Sequence, residues 1–341
     1  MVKKSNTALL IINYGTPENS GKKAVKKFLK ELLDSKHVVT MNSLGRKILV
    51  NGIIVPSRLK HSSKNYENLE KKYGMLLKNH TENFAQKAQN ILNEKADVYT
   101  AMTAGYNYMK DILEEIHQKN YHKIVAVPMY PQYTESTWGK ALDDLYGFFK
   151  GKFNIPIINV FDMFFQDEYY VDSISKLLTQ NLEGFDFERI VFSYHGVPLS
   201  HLKMAHQGKT CEDYNCQDHY SDTTSHFCYL AQCYQTTRLI TERLSIENKK
   251  VTTSFQSRIA EGWTQPYTED TILKAAKDGV KKIAVITPAF VTDCLETVIE
   301  IGEDVKEKFL QNGGTDFKLI PCLNDEDFWV ENFCKMIDKM L

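Results

Sequence analysis

Eight short apolar runs, separated by amphipathic segments along the whole length, decide what this 341-residue chain can fold into. They lie at 7–14, 97–103, 122–129, 155–161, 188–194, 250–256, 281–287 and 315–320. Helical periodicity fills the gaps near 22–34, 81–94, 107–119, 136–150, 167–182, 230–247, 268–279, 294–312 and 325–340. Short, nearly continuous apolar strands alternating with helices are the mark of parallel sheets covered on both faces. Eight strands divide into four and four, with a seam near 162–169. The expected fold is α/β: two similar Rossmann-like domains, 1–161 and 162–324, each with a four-stranded parallel sheet, facing each other across an active-site cleft. The last segment, 325–341, is read as a helix crossing back to the first domain.

Composition narrows the partners. A net charge of -1 with 25% charged residues leaves no basic excess, which argues against nucleic acid. No apolar run approaches the roughly 20 residues needed to span a bilayer. The Met1–Asn6 start leads into the five-residue run Ala8–Ile12 and a turn, with no small-residue cleavage site, so the expected location is cytoplasmic. No glycine-rich phosphate loop follows any strand, and Gly15-Thr16-Pro17 lacks the dinucleotide fingerprint.

Ligands of such folds bind at the carboxyl ends of the strands. Tyr14, Tyr130–Thr134, His195, Gln256 and Phe290–Glu296 all fall there. His195 ends the run Ile190–Tyr194 and precedes Gly196. A neutral imidazole at such a place can take a proton or bind a cation, although an arbitrary histidine is more often a simple loop contact. Glu296, Glu300 and Asp304 recur every four residues, which lines them along one helix face. That row reads either as a solvated acidic face or as oxygen ligands leading a divalent cation inward.

Four of the seven cysteines, Cys211, Cys216, Cys228 and Cys233, crowd into one loop with four, eleven and four residues between them. In a reducing compartment such thiols read as metal ligands rather than disulfides. Four thiolates suit tetrahedral zinc and an iron–sulfur cluster alike, though the end gaps are wider than the C-x2-C of zinc ribbons. His206, His219 and His226 share the loop and offer substitute ligands, each more readily read as a surface histidine. Cys294, Cys322 and Cys334 are far off in sequence and read as small buried residues or a site-edge thiol.

With these residues in view, the chain resembles the ferrochelatase family, whose members insert ferrous iron into a porphyrin. Ser193–Pro198, Phe255–Arg258 and Phe290–Glu300 are similar to its three signature stretches, and Leu10–Pro17, Asn51–Pro56, Tyr130–Tyr133 and Ile320–Asn324 agree as well. The agreement runs in order over nearly the whole length. The resemblance implies His195 and Glu296 as catalytic, iron-binding residues. It also implies Glu300 and Asp304 as an acidic track on a π-helix, with Asp293 at its mouth, and porphyrin contacts at Tyr14, Arg58, Tyr66, Gln132 and Tyr133. It further implies ferrous iron and protoporphyrin IX as substrates, and a greasy lip at Ile48–Pro56 that touches the inner membrane peripherally. The four loop cysteines resemble the internal [2Fe-2S] ligands of a bacterial subgroup, with structural zinc as the alternative.

Departures from the family pattern fall in the first domain. Gly74-Met75-Leu76-Leu77 and Ala101-Met102-Thr103-Ala104-Gly105 lack polar groups that many members present to the porphyrin propionates. Cys294 stands two before the glutamate, as in proteobacterial-type members, which favours protoporphyrin. A non-catalytic haem or iron–sulfur sensor on the same fold would tolerate loss of His195 or Glu296, and this chain keeps both. A two-lobed metal transport protein would call for a signal peptide.

Overall fold

The computed structural model describes residues 5–258 and 261–341; residues 1–4 of the Met1–Asn6 start lie outside them. The chain divides into two compact units, 1–129 with 135–162 and 325–341, and 130–134 with 163–324.

In the first unit, β1 (Thr7–Asn13), β2 (Asp97–Met102), β3 (Lys123–Pro128) and β4 (Ile157–Val160) form one parallel sheet in the order β2-β1-β3-β4. Leu10 pairs with Tyr99 on one side and Ala126 on the other, and all seven residues of β1 are buried. A strand buried on both faces has no polar alternation, which is why these runs read as continuous apolar stretches. Around this sheet come α1 (Lys22–Leu33), α2 (Ser43–Leu49), α3 (Val55–Tyr73), α4 (Leu76–Leu92), α5 (Met109–Gln118) and α6 (Lys140–Phe149).

The second unit repeats the plan. β5 (Arg189–His195), β6 (Val251–Gln256), β7 (Lys282–Ile286) and β8 (Asp316–Leu319) are parallel in the order β6-β5-β7-β8. Its helices are α7 (Glu168–Leu182), α8 (Leu199–Ala205), α9 (Tyr229–Arg243), α10 (Thr268–Lys277) and α11 (Lys306–Gln311). The short segment 130–134 goes with this unit rather than with the strand before it. Gln132 Nε2 donates to Thr236 Oγ1 (3.0 Å), the Tyr133 amide donates to Gln232 Oε1 (2.6 Å), and Phe165 N donates to Pro131 O (3.0 Å). The last helix, α12 (Asp327–Ile337), belongs to the first unit, where Trp329 and Phe333 pack on Phe84 of α4 and Asp325 pairs with His80 and Lys87.

Three π-helical stretches interrupt the helices of the described residues: Val50–Ile54, Glu135–Gly139 and Glu296–Val305. The first joins α2 to α3, so 43–73 runs as one long helical segment through Pro56. Periodicity did not reveal it, because its apolar residues face outward: Leu44, Ile48 and Ile53 are 72%, 64% and 61% exposed. A proline at the start of α3 forgoes only an amide hydrogen bond that the preceding π turn already disturbs. Among the described residues no helix is long and apolar enough to cross a membrane.

Two glycines lock the turn that carries Tyr14 past the end of β1. Gly15 and Gly105 both have positive φ, +138° and +82°. A Cβ on Gly15 would lie 2.3 Å from Ala104 O, and one on Gly105 would lie 2.1 Å from Thr16 O. Both backbone conformation and close approach therefore demand glycine. Gly105→Ala is expected to destabilise the protein by more than about 2 kcal/mol in urea unfolding, because it adds a backbone clash to strain at φ. An unchanged unfolding midpoint would show that the turn relaxes freely.

Candidate active site and metal centre

The carboxyl end of the second sheet gathers the chemistry. His195 is the last residue of β5 and stands in register with Gln256, the last residue of β6. Its Nδ1 lies 2.7 Å from Gly196 O. A carbonyl can only accept, so Nδ1 carries the proton and the neutral ring keeps its lone pair on Nε2. Trp263 and Phe290 flank the imidazole at ring-centroid distances of 6.3 and 6.2 Å. Behind it, Tyr229 at the start of α9 donates its hydroxyl to His195 O at 2.8 Å.

Gln256 ties this strand end to the acidic helix. Its Oε1 accepts from Ser193 Oγ (2.7 Å), and its Nε2 donates to Glu296 O (2.9 Å), the first residue of the π-helix. Ser193 Oγ also meets Thr268 Oγ1 at 2.8 Å, so the buried network is satisfied at each step. The opposite face of the π-helix is anchored in the core, where Ile301 and Val305 join Val191, Ile283 and Val285. Gly302 lets the helix lie close to β8, since a Cβ there would sit 2.9 Å from Leu319 Cδ2.

Along the other face, Glu296 and Glu300 are half-buried and Asp304 is exposed, so the row runs from interior to solvent. Burial, reinforced by the neighbouring Glu296 carboxylate, pushes the Glu300 carboxyl up to about 7. The opposing influence is Ser257, whose Oγ donates to Glu300 Oε2 at 2.6 Å. Ser257 achieves this from a positive φ of 60°, a strained conformation immediately after β6. Asp293, at the head of the same helix, is buried and fully engaged. It accepts from Thr297 Oγ1 (2.8 Å), Asn324 Nδ2 (2.7 Å) and the Cys322 amide (3.2 Å).

The residues named as porphyrin contacts occupy varied settings. Tyr14 is half-buried past β1, with its carbonyl accepting from Thr103 Oγ1 at 2.6 Å. On α3, Arg58 is exposed, whereas Tyr66 is buried with its ring edge-on to Phe28 at 6.0 Å. Gln132 is buried, and half-buried Tyr133 packs against Phe227 at 5.0 Å.

The cysteine loop brings together Cys211, Cys216, Cys228 and His206, whose ligand atoms all lie within 4.8 Å of one another. Cys233 is outside this set. It is fully buried on α9, and five residues beyond Cys228 along a helix is about 140° round the axis. His206 corrects the reading of it as a surface residue: it is 4% exposed. His219 is exposed and His226 half-buried. Cys322 and Cys334 are buried, and Cys294 is half-buried before the π-helix.

Sequence reading missed Ser257, Thr268 and Trp263 as members of the site. The signal for Ser257 was its place directly after a strand-end glutamine in a stretch already singled out; the other two act through long-range contacts that carry no local pattern.

Comparison with known proteins gives a consistent result. The family model described as Ferrochelatase matches residues 6–341. A ferrochelatase of Coxiella burnetii (strain Dugway 5J108-111) is 33% identical over 343 residues, covering 100% of this chain and 96% of that protein. A ferrochelatase of Legionella pneumophila (strain Corby) is 32% identical over 334 residues, covering 98% and 99%. Among solved structures, SirB from Bacillus subtilis with Fe3+ aligns with a TM-score of 0.54 over 98% of this chain and 94% of that one, at 11% identity, a likeness of fold.

The raised Glu300 carboxyl makes stability depend on pH. Its folded value of about 7 exceeds the ordinary 4.5, so the folded protein takes up a proton that the unfolded chain has released. The favourable contribution is complete below about pH 4.5 and is lost as pH rises through 7, by up to about 3 kcal/mol. Glu300→Gln, which can still accept from Ser257, should flatten the stability profile between those limits. An unaltered slope in denaturation at several pH values would contradict the assignment.

Proposed function

The chain belongs to the ferrochelatase family, and from that premise we propose how its residues insert ferrous iron into protoporphyrin IX. The enzyme is a lyase of haem synthesis: iron enters the macrocycle and two pyrrole protons leave. Little covalent chemistry falls to the protein. Its tasks are to hold the ring bent so that pyrrole lone pairs turn toward the metal, to remove protons, and to strip water from iron.

His195 is the proton acceptor in this reading. The observation that carries it is the Nδ1 contact to Gly196 O, which leaves Nε2 as a base at a strand end between two aromatic rings. Glu296 positions the incoming iron. Glu300, with a carboxyl near neutrality, passes protons or metal between Glu296 and the exposed Asp304, while Asp293 clamps the head of the helix. Tyr14, Arg58, Tyr66, Gln132 and Tyr133 serve the porphyrin. Exposed Arg58 suits a propionate, whereas buried Tyr66 and Gln132 pack against Phe28 and hydrogen-bond Thr236, respectively, and serve by shaping the wall behind the ring.

The exposed apolar residues Leu44, Ile48 and Ile53 support a weak peripheral contact with the inner membrane by an otherwise cytoplasmic protein. The cysteine loop holds a metal centre. Spacing along the sequence alone favours a [2Fe-2S] cluster on Cys211, Cys216, Cys228 and Cys233, with zinc as the alternative, and the donor geometry below decides between them.

Anaerobic incubation with ferrous iron and protoporphyrin, followed by loss of porphyrin fluorescence, tests the activity. His195→Ala and Glu296→Gln should each abolish turnover with the fold intact. Glu300→Gln and Asp304→Asn should mainly raise the iron concentration required. Near-normal turnover in His195→Ala would remove it as the base, and equal, total loss at Glu296, Glu300 and Asp304 would argue against a graded track. Ile48→Glu with Ile53→Glu should diminish sedimentation with anionic liposomes; binding as strong as that of the parent chain would remove the membrane contact alone.

A further inference from the structure

The donor geometry in the cysteine loop disagrees with a cluster on four cysteines. We infer that His206, Cys211, Cys216 and Cys228 hold one tetrahedral metal ion of the zinc class, and that Cys233 is not a ligand.

Three observations carry this. The first is spacing. A tetrahedral ion with sulfur at about 2.3 Å and nitrogen at about 2.05 Å sets its ligand atoms about 3.8 Å apart for two sulfurs and about 3.6 Å for sulfur and nitrogen. Cys211 Sγ and Cys228 Sγ are 3.7 Å apart, and Cys216 Sγ and His206 Nε2 are 3.3 Å apart. All four atoms lie within 4.8 Å of one another. A binuclear cluster instead divides its ligands into two pairs on two irons, and the iron–iron spacing spreads the pairs. Four mutually close donors fit one ion.

The second is the state of the histidine. His206 is buried, and its Nδ1 lies 3.2 Å from Thr224 O. The carbonyl fixes the proton on Nδ1 and turns the lone pair of Nε2 toward the thiols. A metal-bound histidine almost always has its second nitrogen held this way, by a carbonyl or carboxylate. Tyr214 stacks on the ring at 4.9 Å and fixes its plane.

The third is Cys233. It lies on the second turn of α9 with no exposed surface, against Tyr229 in the core. It is not among the residues whose ligand atoms gather, and the helix it sits on begins at Tyr229, whose hydroxyl holds His195 O.

The position of the ion suggests its role. His206 caps the C-terminus of α8 and Cys228 caps the N-terminus of α9, so one ion staples the two ends of the loop that follows His195. It thereby braces Tyr229 and, through it, the backbone of the proposed base.

Metal and acid-labile sulfide analysis of the purified full-length protein tests the assignment. One zinc per chain and no sulfide are expected, with no visible absorption. Cobalt(II) added to the metal-stripped protein should bind once and give the intense visible bands of a tetrahedral thiolate site. Cys233→Ser should keep the ion, His206→Ala should weaken binding at least tenfold against a chelator, and His206→Cys should restore it. About two irons and two sulfides per chain, kept in His206→Ala and lost in Cys233→Ser, would overturn the inference. If either variant fails to fold, the cobalt stoichiometry and spectrum of the parent protein still decide between one ion and a cluster. None of these readouts depends on iron insertion.

Discussion

The Gln256 side chain is the hinge on which the arrangement of the second unit depends. A buried amide has an acceptor and two donors to satisfy, and leaving them unmade costs about 1–3 kcal/mol each. Here the oxygen takes the Ser193 hydroxyl from the neighbouring strand, and the nitrogen gives to the carbonyl of Glu296. Strand register then does the rest, since Gln256 is paired with His195. One amide therefore fixes where the π-helix starts relative to the strand that presents the imidazole. The next residue, Ser257, adds the contact that draws the Glu300 carboxyl back toward ionisation.

The π-helix meets an electrostatic problem. Two carboxylates one turn apart in a half-buried setting repel each other, and burial raises the cost of ionising Glu300. Burial leaves the Glu300 carboxyl raised to about 7, and the row ends at exposed Asp304. The cost is offset on the opposite face, where Ile301, Val305 and Phe309 pack into the core beneath β5 and β7. A group poised near pH 7 suits proton transfer, whereas a fully ionised row would suit only metal attraction.

Much of the fold was legible because its central strands are buried on both faces. Runs such as Leu9–Ile12 and Ile190–Phe192 have no other use for so many apolar residues in a row, and the eight strands fall where hydrophobicity places them. The helix over 43–73 was not legible, because Leu44, Ile48 and Ile53 face solvent and Pro56 reads as a stop. For the candidate site, His195, Glu296 and Glu300 could be singled out by their strand-end places or spacing. His206 stood out only as one of three histidines sharing the loop, because what lies across a loop carries no local pattern. The matched gaps at the two ends of the cysteine set pointed to Cys233, and only the start of α9 turns that residue inward.

The central claim is that the Gln256 bridge sets the acidic helix against His195 for iron insertion. Gln256→Leu tests it most directly: the change keeps approximate volume and removes both hydrogen bonds. With circular dichroism and loop metal content unchanged, kcat for iron insertion into protoporphyrin should fall by at least about 100-fold, as expected when catalytic groups are displaced by about 1 Å. A folded Gln256→Leu variant that turns over within about twofold of the parent would contradict the account.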